Sequence, residues 1–179
     1  MGTCRLTDWP KLNSKPELRD VLEQQIAQNC DFGAHPARLE ELRETFQHSI
    51  AMRPFDEECQ DCNCVMYALD FRMSEPSTPF GRFYADTEYL RWLIDQGHLV
   101  EAVEAPADGL LVVYWDGDRV KHVGVARADG SVASKWGIGF LYEHREWEVP
   151  STYGDSIRYF ISIDSDQAYD LLKVFYTRR

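Results

Sequence analysis

The 179-residue chain lacks any apolar run long enough to span a bilayer. Its opening stretch, MGTCRLTDWPKLNSKPE, lacks the apolar core of a signal peptide. This predicts a protein kept in the cytoplasm, or exported by a route that reads no such signal. Leu6 stands where myristoylation wants Ser or Thr, so the Met-Gly start is no lipidation motif. Basic patches are missing too. The formal net charge is −11 and only the terminal TRR is locally basic, which argues against nucleic acid and anionic membranes as partners. There is no internal repeat and no low-complexity tract. Nor is there an even cysteine count. Five cysteines without a secretory signal argue against a disulfide framework and predict free thiols.

What is present is a chain that can bury a core. Hydrophobic residues make up 44% and aromatics 13%, which fits one folded domain. Residues 1–54 read as a helical N-terminal extension and residues 55–179 as the core of that domain. KPELRDVLEQQIAQN sets Leu18, Val21, Leu22 and Ile26 on one helical face, with Pro16 in the first turn. HPARLEELRETFQHSI does the same with Leu39, Leu42, Phe46 and Ile50, and CDFGAHP breaks the two into a hairpin. His35 and His48 in this region read as ordinary packing or surface histidines.

NCVMYALDFRM is predicted as a helix, and SEPSTPFGRF as a loop, because two prolines and a glycine hold no regular element. The whole stretch from Arg72 to Tyr84, with Phe80, Phe83 and Tyr84, is expected to flank a cleft. DTEYLRWLIDQG is a helix with Asp86 or Thr87 as cap and Gly97 as stop. After HLVEAVEAP, an extended link or strand, the pattern changes. GLLVVYW, RVKHVGVAR, SVASKW, REWEVP and SIRYFISI are short and β-branched or aromatic, split by the turn signals DGD and ADGS. DSDQAYDLLKVFYTRR closes the chain as a capped helix. Helices first and an antiparallel meander second make an α+β fold.

EECQDCNCVMYALDF carries the chemistry, and three readings of it compete. Cys59, Cys62 and Cys64 offer three thiolates where a structural zinc site wants four ligands, and no second pair exists. Cys59-x-x-Cys62 has redox spacing, but no thioredoxin-like βαβ pattern surrounds it. The third reading is a nucleophile at Cys64. Asn63-Cys64 opens a helical run, and a helix N-terminus favours a thiolate while its free N–H groups can hold an oxyanion. The base must come from elsewhere, and His122 in KHVGVA is the best candidate. On an alternating strand His122, Gly124 and Ala126 share a face, leaving room beside the imidazole. Sulfur and imidazole nitrogen are then expected within hydrogen-bond reach or slightly looser, as a thiolate–imidazolium pair.

NCVMYAL, then DGLLVVY, then HVGV with its DGS turn resembles the NlpC/P60 family of papain-like cysteine peptidases and amidases, over Asn63 to Lys135. In that family a polar-Cys pair starts a helix, a Gly-Asp-Leu strand follows, and a His-Val-Gly-hydrophobic strand carries the base. The resemblance implies a papain-like core, a nucleophile helix packed on an antiparallel sheet, behind an N-terminal helical hairpin. It implies Cys64 as nucleophile, His122 as base and later acid, and a third polar member at Ser134 on the next strand. Asn63 stands for the usual Asp, Val65-Met66 for Ser-Gly, and the Asp of the strand appears as Asp108. SKWG followed by His144 and Tyr153-Gly154 is similar to the tail of small papain-like relatives. Asn63, Trp136 and His144 are the expected substrate-binding residues, with no metal and no cofactor.

The expected activity is cleavage of an amide in a peptide or peptide-like substrate, with peptidoglycan-type peptides indicated by the resemblance. A secreted effector, a phage product or a cytoplasmic recycler would each fit. Deamidation or acyl transfer on the same fold, and a binding protein that has lost activity, are the alternatives.

Overall fold

The computed structural model describes residues 16–29, 31–53, 62–71, 85–104, 106–137 and 139–178. Pro16 opens α1 (Pro16–Leu22), which runs into a π-turn at Glu23–Ala27. Leu18, Leu22 and Ile26 form its buried stripe. α2 (His35–Phe46) buries Leu39 and Leu42 and ends at Gln47, whose φ of 51° breaks the helix. The two packing histidines are satisfied locally. His35 Nδ1 lies 2.7 Å from the Tyr142 hydroxyl, and His48 Nε2 lies 2.9 Å from the Leu39 carbonyl.

α3 (Cys64–Ala68) is a single short turn of helix, and α4 (Thr87–Asp95) buries Tyr89, Leu90 and Leu93. Asp86 Oδ1 caps α4 by accepting from the Glu88 and Tyr89 N–H groups at 3.0 and 2.9 Å. α5 (Ser165–Thr177) closes the chain, capped by Asp164, and buries Ala168, Leu172 and Phe175.

Among the described residues the sheet has seven antiparallel strands: β1 (Ala51–Met52), β2 (Val100–Glu101), β3 (Leu111–Asp116), β4 (Arg119–Ala126), β5 (Val132–Lys135), β6 (Leu141–His144) and β7 (Ser156–Ile161). Their order is β1-β6-β5-β4-β3-β7-β2. The fold is therefore α+β, as expected, but the sheet is only partly a meander. β3 to β6 follow one another by hairpins, whereas β7 returns to the free edge of β3.

One strand is displaced from its expected place. REWEVP is not a strand, and β6 lies just before it. The cause is Glu148, whose carboxylate accepts from the N–H groups of Arg145 and Ser49 and from the Ser49 hydroxyl. The Glu148 N–H in turn donates to the Arg145 carbonyl, 2.9 Å away. That closes the segment into a turn.

The sheet is covered on both sides, which is why β3 reads as an unbroken apolar run rather than an alternation. Leu111, Val113 and Trp115 face one core with Val123, Phe160 and the buried residues of α3, α4 and α5. Val112 and Tyr114 face the other with Ala126, Val132, Tyr142 and the buried residues of α1 and α2. Each fully buried large apolar side chain contributes about 1.5–3 kcal/mol, so both helical layers are part of the stable unit.

The cysteines differ from expectation. Cys62 is fully buried and disulfide-bonded, and its partner lies outside the described residues. The oddness of the count guarantees one unpaired thiol but does not forbid pairs. Cys64 is free. Cys59 and the loop at 72–84 lie outside the described residues.

Candidate active site

The site is built at a seam in the sheet. β4 pairs with β3 over six positions but with β5 only at Val125↔Ala133 and Ala126↔Val132. Gly124 marks where the two strands still crowd. A Cβ there would lie 2.6 Å from Val132 Cγ1 and 2.9 Å from Ser134 Cβ. Beyond it the ladder stops. Ala126 exchanges hydrogen bonds with the segment before β3, donating to the Leu110 carbonyl and accepting from the Gly109 N–H. Antiparallel alternation then turns the Val123 peptide towards the open seam.

α3 brings Cys64 to this seam from the opposite side. Asn63 caps the helix. Its Oδ1 accepts from Val65 and Met66 N–H, both at 3.0 Å, and its Nδ2 donates to the Ala85 carbonyl at 2.8 Å. The asparagine is thus engaged in fixing the helix start. The Cys64 thiol rests against backbone N–H groups of Val123, Val65 and Cys64 itself, which favour its charged form. Burial outweighs them and pushes the thiol up to about 11. A one-turn helix has too small a dipole to offset that desolvation.

Val123 is peptide-bonded to His122, so the thiol sits beside the backbone of its expected base. The His122 ring, however, projects to the α1–α2 face of the sheet, the face of its cross-strand partner Tyr114. Its ring centroid lies 5.5 Å from that of Tyr114 and 4.0 Å from that of Tyr153, which stacks on it at 20°. Thiol and imidazole therefore lie towards opposite faces of the sheet, where a close pair was expected, and among the described residues no hydrogen bond joins them. His122 is 1% exposed, and its Nε2 has no partner among the described residues. Burial, with His144 acting in the same direction, holds its pKa well below the ordinary value. Burial thus acts against the thiolate–imidazolium pair expected from sequence, raising the thiol and lowering the imidazole.

On the His122 face lies a buried polar chain. Ser134 Oγ is 2.8 Å from His144 Nε2, and His144 Nδ1 is 2.8 Å from the Arg145 carbonyl. Trp136 Nε1 donates to Ser134 Oγ at 3.1 Å, and its indole stacks on Tyr142 with centroids 4.3 Å apart. Desolvation lowers His144 to about 4. Ser134 and His144 are thus brought together behind His122, and Trp136 is buried against them.

Two residues outside the expected site set shape the site: Tyr153, read from the sequence only as part of a Tyr153-Gly154 turn, and Arg19, which sequence reasoning did not single out. Tyr153 sits on a 3₁₀ turn, Ser151–Tyr153, and is close enough to Cys64 for that thiol to help push its hydroxyl up, after the larger effect of burial. Arg19 of α1 holds this turn. Its guanidinium donates to the carbonyls of Val149, Pro150 and Gly154 and lies over the Trp147 ring. Gly154 takes a φ of 107°, and a Cβ there would come within 2.1 Å of the Trp115 carbonyl oxygen. A signal for Arg19 did exist. It stands three residues before Leu22 and seven before Ile26, on the buried stripe of the helix.

Comparison with protein-family models, with curated proteins and with solved structures finds no match to this chain.

Proposed function

We propose that the protein is a cysteine hydrolase that cleaves an amide bond in a peptide or peptide-like substrate. The observation that carries this reading is a free Cys64 at the capped start of α3, a helix packed on β4, the strand that carries His122. The Cys64 proton passes to His122 as the sulfur bonds to the substrate carbonyl carbon. The oxyanion takes the Cys64 N–H, the one N–H of this helix start that the Asn63 side chain leaves free. The C–N bond breaks as the imidazolium returns the proton to the leaving amine. Water then attacks the thioester, with His122 again as base. Ser134 serves as third member behind the imidazole. Peptidoglycan-type peptides are the substrates to try first, on the strength of the sequence resemblance to the NlpC/P60 family. Deamidation or acyl transfer would share the first half-reaction and differ in the group released or the final acceptor.

A second reading has an observation of its own. Burial opposes charge on both groups, and Tyr153 stacks on the imidazole, which suits a binding protein that has kept the fold without the activity. The two are separated by incubating the protein with peptide amides and with a thiol-directed acylating probe, followed by mass spectrometry. The hydrolase reading expects an acyl adduct on Cys64 that turns over, and its loss in Cys64→Ser and His122→Ala. No adduct and no cleavage with folded protein would leave the binding reading.

A further inference from the structure

We infer that Arg127, held by the Tyr67 hydroxyl, sets the substrate specificity of the Cys64 site: it receives a carboxylate that the substrate carries about one or two residues from the amide to be cleaved. The inference rests on Cys64 being the nucleophile.

Cys64 and Tyr67 stand three apart in α3, a spacing that puts them on one side of a helix with Cβ atoms about 5–6 Å from each other. That side is the open one. Val65, Met66 and Ala68 are buried, whereas Cys64 and Tyr67 are only partly so. Beneath α3 runs β4. Val123 and Val125 face the helix, and Arg127, next in the alternation, stands just past the end of the strand. The turn to β5 fixes the Arg127 backbone. Its N–H donates to the Ser131 carbonyl at 2.8 Å, and its carbonyl accepts from the Gly130 N–H at 2.9 Å. The side chain is exposed and reaches α3, where Nη2 donates to the Tyr67 hydroxyl oxygen at 3.0 Å.

A guanidinium only donates, so the phenol oxygen is the acceptor of this bond and its own O–H is directed elsewhere. Among the described residues that O–H has no acceptor, and Arg127 has no carboxylate partner. Nearby carboxylates are engaged by other groups. Glu143 pairs with Arg53 at 2.5 Å, and Asp129 accepts from the N–H and the hydroxyl of Ser131. Burial, the largest influence on it, raises the Tyr67 hydroxyl above its ordinary value, so it keeps its proton at neutral pH. The remaining guanidinium N–H groups and the phenol O–H thus lie side by side as donors without an acceptor. A carboxylate complements them, a neutral amide bonds them more weakly, and an ammonium is repelled. The net charge of −11 disfavours acidic substrates over the protein as a whole. Salt screens distant charges beyond about 8 Å, which leaves the guanidinium beside the thiol to decide.

The test labels Cys64 of the full chain with three iodoacetyl reagents, each losing iodide to the sulfur. They are N-iodoacetylglutamate blocked as its α-amide, N-iodoacetylglutamine with a free α-carboxylate, and the neutral N-iodoacetylglutamine α-amide. Labelling rates are read by peptide mass spectrometry. An acidic reagent should outpace the neutral one by about tenfold, the scale of a hydrogen bond to a charged group. Which acidic reagent does so tells a side-chain carboxylate from a terminal one. Arg127→Met should abolish the preference and Tyr67→Phe should weaken it. Arg119→Met removes the same charge from the far end of β4 and should retain it. The inference is overturned if wild type labels no faster with either acidic reagent, or if the preference survives in folded Arg127→Met or falls equally in Arg119→Met. An unchanged preference in Tyr67→Phe overturns the part given to the hydroxyl. Should Arg127→Met not fold, Arg127→Gln replaces it under the same criteria. No readout needs turnover. Acid-selective labelling without amide cleavage counts against the hydrolase reading alone, and cleavage without acid selectivity counts against this inference alone.

Discussion

The Tyr153 ring lies on the His122 ring with centroids 4.0 Å apart and 20° between the planes. The stack shields the candidate base from water and from substrate alike. Tyr153→Leu should rehydrate the imidazole and let its pKa rise towards the ordinary value, read by NMR titration of His122. Stability should fall by about 1–3 kcal/mol, since a half-buried aromatic is exchanged for a smaller side chain. An unmoved His122 titration would mean that the stack contributes little to the desolvation.

Acid should destabilise the protein through its buried histidines. His144 is lowered to about 4 and His122 well below the ordinary value, both chiefly by burial. Between the unfolded pKa near 6.5 and the folded values, the unfolded chain binds protons that the native state refuses. Stability is therefore full above about pH 6.5 and drains as pH falls towards 4, by about 3 kcal/mol for His144. Urea midpoints at pH 7 and pH 4.5 test this, and His144→Gln should flatten part of the slope. The thiol titrates in the other direction. With Cys64 held at about 11, alkylation should keep accelerating with pH through 9 rather than level off near neutrality.

Arg19→Met should cost about 2–4 kcal/mol, because three carbonyls lose a charged donor in a buried setting. The same change should loosen the turn that carries Tyr153, so Cys64 should alkylate faster while the protein becomes easier to denature. Arg19→Lys should rescue poorly, since a point charge cannot reach three acceptors in the fork geometry of a guanidinium. Chemical denaturation and alkylation kinetics on the same samples read both effects. Slower alkylation in Arg19→Met would contradict the turn's role as a cover.

Maleimide labelling of denatured protein should mark Cys64 without reductant and Cys62 only after reduction. Peptide mapping by mass spectrometry distinguishes the two positions. Labelling of Cys62 before reduction would show that the disulfide does not form in solution.

Much of the local structure was legible in the chain. The stripe Leu18, Leu22, Ile26, the caps Asp86 and Asp164, and the hairpin turns between β3, β4 and β5 each rest on interactions only a few residues long. Periodicity and turn chemistry record those directly. The placement of Cys64 at a helix start with Asn63 before it was legible for the same reason, because a cap needs only the next three residues. So was the shared face of His122, Gly124 and Ala126, which follows from strand alternation alone.

What the tertiary structure decided involves partners far apart in sequence. β7 lies against β3, β4 and β5 part beyond Val125, and Arg19 reaches a turn some 130 residues away. No local pattern encodes such distances. The charge state of the site belongs here too. Sequence placed a thiol beside helix N–H groups and a histidine nearby, which together favour an ion pair. Only packing settled how much water each group would lose, and desolvation outweighs a few backbone dipoles. The pairing of Cys62 was hidden for a related reason: a cysteine count fixes parity, whereas a disulfide needs two sulfurs brought within bonding distance by the fold.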